Sequence, residues 1–390
     1  MRSTSLRRGV LLLCSSALLL AFQFVGPTDP LPATGSLGGP DRSLTWGETQ
    51  DWLRGRRVFD HDFSLSEGLG RPHYNGDSCR SCHFDPVVGG SGDVDLNVSR
   101  VARSFGGTGF ATVLNADPFG NPQILSRLTR PDNARREEYD PAITDIFEQR
   151  NAPPVFGLGL IERIPATAIL AQQDPNDLNG DGIRGVARML SVQSATVLGR
   201  FGWKAQVPTV RDFLRDAMGE ENGITVAVTG SPFGISADGD GIADPELSSD
   251  DFEAGAFFLE HLAAPPRANP THPQAASGLL FFTQIGCAKC HTPSFNIDDA
   301  AVPLFSNLLL HNVGTEEFRG MQENGAGNGF YRTPPLWGLR HSKPYMHDGS
   351  AETPLMAIRA HEGEAAGVRV AFDALSATAQ AALLAFLDDL

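Results

Sequence analysis

The sequence predicts a mainly α-helical protein made of two similar units, the first of which is enlarged by a loop-rich insertion. Three observations predict this class. A five-residue cysteine–histidine motif occurs twice in the 390 residues, an apolar helix pattern precedes each copy, and a second helix pattern closes each unit. The chain contains 42 glycines and 27 prolines. Their shares of the 390 residues exceed the usual shares of about 7 % for glycine and 5 % for proline, which favours short elements joined by many loops.

The composition limits the classes of function. Hydrophobic residues make up 41 % and charged residues 20 % of the chain, which is enough for a packed core and argues against a disordered chain. The formal net charge of −15 repels phosphate backbones, so we do not expect a nucleic-acid partner.

Residues 1–27 have the pattern of an export signal or an N-terminal anchor. Three arginines within the first eight residues precede an apolar stretch over residues 10–25. This stretch is shorter than the roughly 20 residues that span a membrane, and no clean A-x-A cleavage site follows it. We therefore expect a periplasmic or otherwise exported protein, which contacts the membrane only if this segment is retained.

The four cysteines outside this segment carry the clearest chemical signal. They occur in two C-x-x-C-H motifs, Cys79-Arg-Ser-Cys82-His83 and Cys287-Ala-Lys-Cys290-His291. This is the attachment pattern of c-type haem, in which two thiols bond to the porphyrin and the histidine binds the iron. A thioredoxin-like dithiol, a Cys₄ zinc site and two unrelated disulfides are weaker alternatives, because none of them requires the histidine. The sequence therefore predicts two covalently bound c-type haems.

Helix patterns frame each motif. We expect helices over residues 43–59 and 273–285 before the motifs and over 247–262 and 375–387 after them. This order is typical of cytochrome c, whose first and last helices pack together over one haem edge. We therefore expect two cytochrome c-like haem domains. The first covers residues 43–264 and contains an insertion over about 140–245, and the second covers 270–390.

Several segments show a resemblance to known proteins. Residues 332–340 and 344–349 resemble the C-terminal segments of bacterial di-haem cytochrome c peroxidases. Residues 153–162, 197–204, 305–311 and 361–365 resemble more closely the di-haem oxidoreductase family of putative peroxidases, also labelled thiol-oxidoreductase-like. The resemblance implies an enzyme whose C-terminal haem transfers electrons and whose N-terminal haem reacts with a small oxidant such as peroxide. It implies electron delivery by a small donor protein, a cytochrome or a cupredoxin.

The resemblance also implies a second ligand for the C-terminal haem. In the peroxidase pattern this ligand follows the His-Asp-Gly turn by about fourteen residues, which from His347 leads to His361. Histidine stands here where many peroxidases have methionine, and this exchange lowers the haem potential. The other candidates are Met346, His347 and Met356, and the alternative for His361 is a solvated loop residue.

The N-terminal haem has no second ligand with decisive spacing. Five side chains are conceivable, and Met189 among them is expected in the core: His61, His73, Met189, Met218 and Lys204. Glu162 is the expected acid for peroxide chemistry, since a distal carboxylate can move a proton between the two peroxide oxygens. The alternative is a surface glutamate beside Arg163.

Two acidic loops have oxygen-bearing side chains at alternating positions. Asp177, Asn179 and Asp181 form the stronger calcium pattern, and residues 238–246 repeat it more weakly. Both loops could equally be metal-free Asx turns. The main alternative for the whole protein is a di-haem electron-transfer cytochrome without catalytic turnover.

Overall fold

The computed structural model describes residues 30–70, 75–105, 109–112, 124–125, 146–227, 230–314, 321–323 and 325–390. The expected signal or anchor at residues 1–27 lies outside the described residues. Within the described ranges, no helix is both long and apolar enough to cross a membrane.

Helices exceed strands about threefold, with 35 % of the described residues helical and 12 % in strands, which confirms the mainly α class. The helices are α1 (Trp46–Asp60), α2 (Leu158–Arg163), α3 (Ala166–Leu170), α4 (Val210–Ala217), α5 (Ser249–Glu260), α6 (Pro273–Gln284), α7 (Pro354–Arg359), α8 (Ala366–Asp373) and α9 (Ala377–Asp389). The strands are β1 (Val98–Phe105), β2 (Gly109–Thr112), β3 (Ile124–Leu125), β4 (Ile146–Arg150), β5 (Met189–Val192), β6 (Ala195–Leu198), β7 (Phe295–Ile297), β8 (Ala300–Val302), β9 (Leu310–Asn312) and β10 (Phe330–Arg332).

The first framing pair consists of α1 and α5. A capping box between Thr45 and Glu48 starts α1, so its first backbone N–H groups have acceptors. The ring centroids of Trp52 on α1 and Phe258 on α5 lie 4.9 Å apart, edge to face. A Cβ atom at Gly55 would lie 1.9 Å from the Ala254 carbonyl oxygen, so only glycine permits this close crossing.

The second framing pair, α6 and α9, repeats this arrangement. A Cβ atom at Gly278 would lie 2.0 Å from the Ala382 carbonyl oxygen. The rings of Phe282 and Phe386 pack edge to face at 5.2 Å. The four framing helices predicted from the sequence are therefore confirmed as elements, within about three residues at each end.

The segment between β1 and α5 carries most of the strand structure. Strand β1 pairs antiparallel with β2, β3 and β4, and β5 forms a hairpin with β6. Strands β9 and β10 pair so that Tyr331 lies opposite His311. The last residues of β4, the loop after β6 and strand β10 all reach the cavity described next.

Candidate functional site

A single cavity of about 460 Å³ is lined by both C-x-x-C-H motifs. Its volume falls within the usual range for cofactor sites, about 300–1,000 Å³. Its lining includes every motif residue and the expected second ligand: Cys79, Cys82, His83, Cys287, Cys290, His291 and His361. Residues more than 200 positions apart in the chain therefore meet around one space.

The two motifs adopt the same local turn. The backbone N–H of His83 donates to the Cys79 carbonyl oxygen at 3.0 Å, and the N–H of His291 donates to the Cys287 carbonyl oxygen at 3.0 Å. This helical turn places both thiols and the imidazole of each motif on one side of the chain. With two residues between the cysteines, this turn brings both thiols to the same side.

The four cysteines are thiols and form no disulfide with one another. Burial raises the pKa of Cys79, Cys287 and Cys290 to about 12 and that of Cys82 to about 11, because the thiolate loses its hydration. Thiols with such pKa values are poor nucleophiles in disulfide exchange. The structure thus argues against a dithiol redox site, despite the thiol label that related sequences carry.

Both motif histidines are oriented by a backbone carbonyl group. Nδ1 of His83 lies 3.3 Å from the Gly90 oxygen, and Nδ1 of His291 lies 3.0 Å from the Phe305 oxygen. Such a bond fixes the tautomer with the proton on Nδ1 and leaves the Nε2 lone pair for a metal. Each ring also packs near a phenyl ring of its framing helix, His83 near Phe59 at 6.2 Å and His291 near Phe282 at 6.3 Å.

His361 faces His291 across the cavity. Their ring centroids are 6.4 Å apart, and Nδ1 of His361 lies 2.6 Å from the Ala357 carbonyl oxygen. Metal–imidazole bonds are about 2.0–2.1 Å long and the ring centre lies about 1.1 Å further on, so two imidazoles on one metal have centres roughly 6.3 Å apart. Burial lowers the pKa of His361, and it lowers that of His291 to about 3, so both rings are neutral and able to bind iron.

These residues fit a c-type haem by the chemistry of the donor set. Each motif offers two neutral thiols and one neutral imidazole whose Nε2 is free to bind, and both sets border one largely apolar cavity. A zinc site would instead need thiolates gathered around one point. Among the described residues, the only group of three or more metal-ligating side chains lies elsewhere, at Asp238, Asp240 and Glu246.

Glu221 is a carboxylate of the cavity lining that the sequence did not reveal. It lies in a π-helical turn, Met218–Asn222, directly after α4, and such turns are often found at functional sites. Its Oε2 accepts from Asn75 Nδ2 at 2.9 Å, and its charge acts on the thiols of both Cys79 and Cys82. Burial raises the pKa of Glu221 above its ordinary value. The unusual turn and the long-range contact leave no sequence pattern.

Glu162 belongs to α2, and its side chain reaches the first residue of α4. Its Oε2 accepts from the backbone N–H of Val210 at 3.1 Å, and burial raises its pKa. Its neighbour Ile161 lines the cavity, whereas Glu162 does not appear in the described lining. Its expected role as a proton-transfer acid stays a prediction, and the observed contact is that of a helix cap.

The other conceivable ligands of the N-terminal haem are engaged elsewhere or lie outside the described residues, as His73 does. Nζ of Lys204 donates to three backbone carbonyl oxygens, and His61 pairs with Glu67. Met218 is fully buried in the core. The expectation that Met189 lies in the core is wrong: it is 45 % exposed on β5, because a short two-stranded hairpin buries only alternate positions.

The two acidic loops differ in how closely their oxygens approach one another. In the first loop, Asp177, Asn179 and Asp181 each accept a backbone N–H, and Asp181 also pairs with Lys289 at 3.1 Å. In the second loop, Asp238, Asp240 and Glu246 likewise each accept a backbone N–H, and their oxygens converge within 4.8 Å. The calcium expectation for the first loop stays a prediction, and the second loop has the more convergent oxygens.

Two thiol–thiol–imidazole sets around one cavity define a di-haem cytochrome-type oxidoreductase. The chain belongs to the family described as "Di-haem oxidoreductase, putative peroxidase", whose family model matches residues 142–390. The resemblance noted from the sequence is therefore confirmed, and the protein is an oxidoreductase with two haem cofactors. The match begins after the first C-x-x-C-H motif and contains the second.

Comparisons with other proteins give distant similarities. A MauG-like protein associated with microbial copper homeostasis is 16 % identical, with 93 % of this chain and 94 % of that chain covered and a TM-score of 0.44. Hydrazine synthase of Kuenenia stuttgartiensis is 16 % identical, with coverage of 94 and 99 % and a TM-score of 0.39. A variant of the di-haem peroxidase BthA of Burkholderia thailandensis is 17 % identical, with coverage of 66 and 80 % and a TM-score of 0.29. No curated protein sequence matches the chain.

Proposed function

We propose that this protein is an exported di-haem c-type peroxidase-like enzyme with two different haem sites. Cys79 and Cys82 attach the N-terminal haem, and Cys287 and Cys290 attach the C-terminal haem. His83 and His291 are the proximal ligands. Electrons enter from a small donor protein at the C-terminal haem and pass to an oxidant such as peroxide at the N-terminal haem.

The observation that carries this proposal is the difference between the two histidine environments. His361 lies against His291 at the separation of two imidazoles that share one metal. Within the described residues, no second imidazole lies against His83 in this way, and the carboxylic acid Glu221 borders that end of the cavity instead. Two imidazoles favour a closed electron-transfer site, whereas one imidazole and an acid favour a site open to a small oxidant.

The bound haems would supply the redox-active iron, and the chain supplies orientation and proton transfer. Gly90 and Phe305 hold the proximal rings through Nδ1, and Ala357 holds His361 in the same way. In this proposal Glu221, which Asn75 orients, accepts a proton from peroxide and returns it to the leaving oxygen. Its raised pKa brings the carboxyl closer to the pH at which both steps are possible.

The donor is proposed to be a cytochrome or a cupredoxin with a basic docking face. The net charge of −15 favours association with a positively charged partner by long-range attraction. Electron delivery from such a donor therefore slows as ionic strength rises. Export through residues 1–27 is consistent with a donor of this kind, since small redox carriers of both classes serve exported oxidoreductases.

We further propose two haem domains, residues 43–264 and 270–390, and calcium as a structural ion of the acidic loops. The repeated glycine-mediated crossing of α1 with α5 and of α6 with α9 supports the division. Two carboxylate oxygens of the second loop, Asp238 Oδ2 and Glu246 Oε1, are buried without a hydrogen-bond donor among the described residues, which supports a cation there.

Spectroscopy of the oxidised holoprotein tests the proposal. One low-spin haem and one high-spin haem that changes on addition of peroxide are expected. The alternative is a di-haem electron-transfer cytochrome without turnover. It would be supported by two low-spin haems whose spectra do not change on addition of peroxide in either the oxidised or the half-reduced protein.

A further inference from the structure

Among the described residues, Arg332 is a buried cation that no carboxylate pairs with. Its exposure is 9 %, and it lines the cavity between the two motifs. Its Nε donates to the Gly202 carbonyl oxygen at 3.0 Å, and Nη1 reaches the Thr333 oxygen only at 3.4 Å. No carboxylate lies within 4 Å of it in the described part of the chain, and burial alone lowers its pKa to about 10. A buried, unpaired guanidinium is costly unless an anion accompanies it.

A second group of guanidinium groups borders the same part of the cavity. Arg100, Arg150 and Arg188 share two buried carboxylates, Glu148 and Glu323, over distances of 2.6–2.9 Å. Each of the three guanidinium groups pairs with Glu323, and Arg150 pairs with Glu148 as well. Nη2 of Arg150, which lines the cavity, is buried without a hydrogen-bond partner among the described residues.

Trp203 brings the two positive sites together. Its indole N–H donates to the Asn151 carbonyl oxygen at 2.9 Å, directly after Arg150, and its own carbonyl oxygen accepts from the Arg332 N–H at 2.8 Å. Trp203 lines the cavity as well. Trp203 therefore links the backbone next to Arg150 with that of Arg332, and all three residues line the cavity.

We propose that Arg332 and Arg150 bind propionate carboxylates of haem where the cavity passes Trp203, and that Arg332 thereby raises the reduction potential of the haem it contacts. The inference rests on the proposed haem sites. A haem carries two propionates, and these carboxylates would give Arg332 an anionic partner and Nη2 of Arg150 a hydrogen-bond acceptor. A guanidinium beside the propionates also opposes the extra positive charge of the oxidised iron, and this favours the reduced state.

The potentials of both haems in the holoenzyme, measured by spectroelectrochemical titration, test the inference. Arg332→Gln is expected to shift the potential of at least one haem to lower values, whereas Arg332→Lys keeps the charge and retains most of the wild-type potential. Arg163→Gln is the matched control, since Arg163 is 55 % exposed and pairs with Asp298 at the surface. Unchanged potentials in Arg332→Gln, or an equal shift in Arg332→Lys, would overturn the inference.

Haem content is measured first, which separates this inference from the proposed function. A chain without haem contradicts the function, whereas a fully loaded chain with unchanged potentials contradicts only the role of Arg332. A crystal structure of the wild-type holoenzyme tests the same point if Arg332→Gln does not fold. It is expected to place a propionate oxygen about 2.7–2.9 Å from the Arg332 guanidinium, and propionates bound only to other groups would overturn the inference.

Discussion

The imidazole rings of His291 and His361 face each other at a centroid separation of 6.4 Å, although 70 residues separate them in the sequence. Backbone carbonyl groups hold both Nδ1 atoms, that of Phe305 for His291 and that of Ala357 for His361. Both rings can therefore direct Nε2 toward the space between them. This pairing of two imidazoles distinguishes the C-terminal site from the N-terminal one, and the proposed roles of the two haems rest on it.

Replacement of His361 tests that relationship. His361→Ala should open the C-terminal iron to water or carbon monoxide and convert it from low spin, while the N-terminal haem stays unchanged. Met346→Ala is the control, because Met346 also lines the cavity but is not paired with His291. Electron paramagnetic resonance measures the spin state of the iron in both variants. If low-spin character survives in His361→Ala and is lost in Met346→Ala, the ligand is Met346.

Glu221 and Glu162 make different predictions for peroxide chemistry. Glu221→Gln should slow the reaction with peroxide by about 10²–10⁴-fold, since general acid–base groups contribute that much. Glu162→Gln should leave the rate nearly unchanged and weaken the start of α4 by about 1 kcal/mol. Stopped-flow mixing with peroxide measures the rates, and thermal melting measures the stability.

The pH profile gives a second test of Glu221. Because burial raises its pKa, the ionised base should appear only above the ordinary glutamate value of about 4.3, and the rate should rise with pH through that higher pKa. Glu221→Gln should lack this rise. If the rate still rises with pH in Glu221→Gln but no longer does so in Glu162→Gln, Glu162 is the group that transfers the proton.

The sequence predicted most of the site through short-range patterns. Each C-x-x-C-H motif forms one turn, and the spacing from the His-Asp-Gly turn led to His361, which the structure places against His291. Glu221 could not be found in this way, because its place depends on a π-helical turn and on Asn75, 146 residues earlier. The position of Arg332 could not be found either, since only the fold shows that no carboxylate of the described residues reaches it.

Glycine positions in α1 test the close packing of the first framing pair. Gly55→Ala should lower the free energy of unfolding by about 1–3 kcal/mol, because the new methyl group would meet the Ala254 carbonyl oxygen. Gly47→Ala in the same helix meets no atom within 4 Å and should instead stabilise by up to about 1 kcal/mol. Denaturant unfolding compares both variants, and equal effects would mean that α1 does not cross α5 at Gly55.

The binding of calcium should depend on the protonation state of the Glu246 carboxyl group. Burial raises its pKa to about 7, so the folded state favours the protonated form, and stability falls as pH rises from about 4.3 toward 7. Millimolar Ca²⁺ should raise the melting temperature at pH 8 and reduce this fall, because it binds the ionised carboxylates. Melting curves with and without a chelator measure the effect.

Two variants locate the ion. Glu246→Gln should abolish the Ca²⁺ response, whereas Asp177→Asn should preserve it, since among the described residues the acidic oxygens converge at Asp238, Asp240 and Glu246 and not in the first loop. Loss of the response only in Asp177→Asn would place the ion in the first loop. If Ca²⁺ does not change the melting temperature of the wild type, both loops are metal-free turns.

In the proposed function two haems are bound covalently, one at each C-x-x-C-H motif. Intact-mass spectrometry of the purified protein after acid–acetone extraction tests this covalent attachment. We expect a chain heavier by two haem groups, and a chain heavier by one in a Cys79→Ser/Cys82→Ser variant or in a Cys287→Ser/Cys290→Ser variant. A chain of unmodified mass whose Cys79, Cys82, Cys287 and Cys290 all react as free thiols would contradict it.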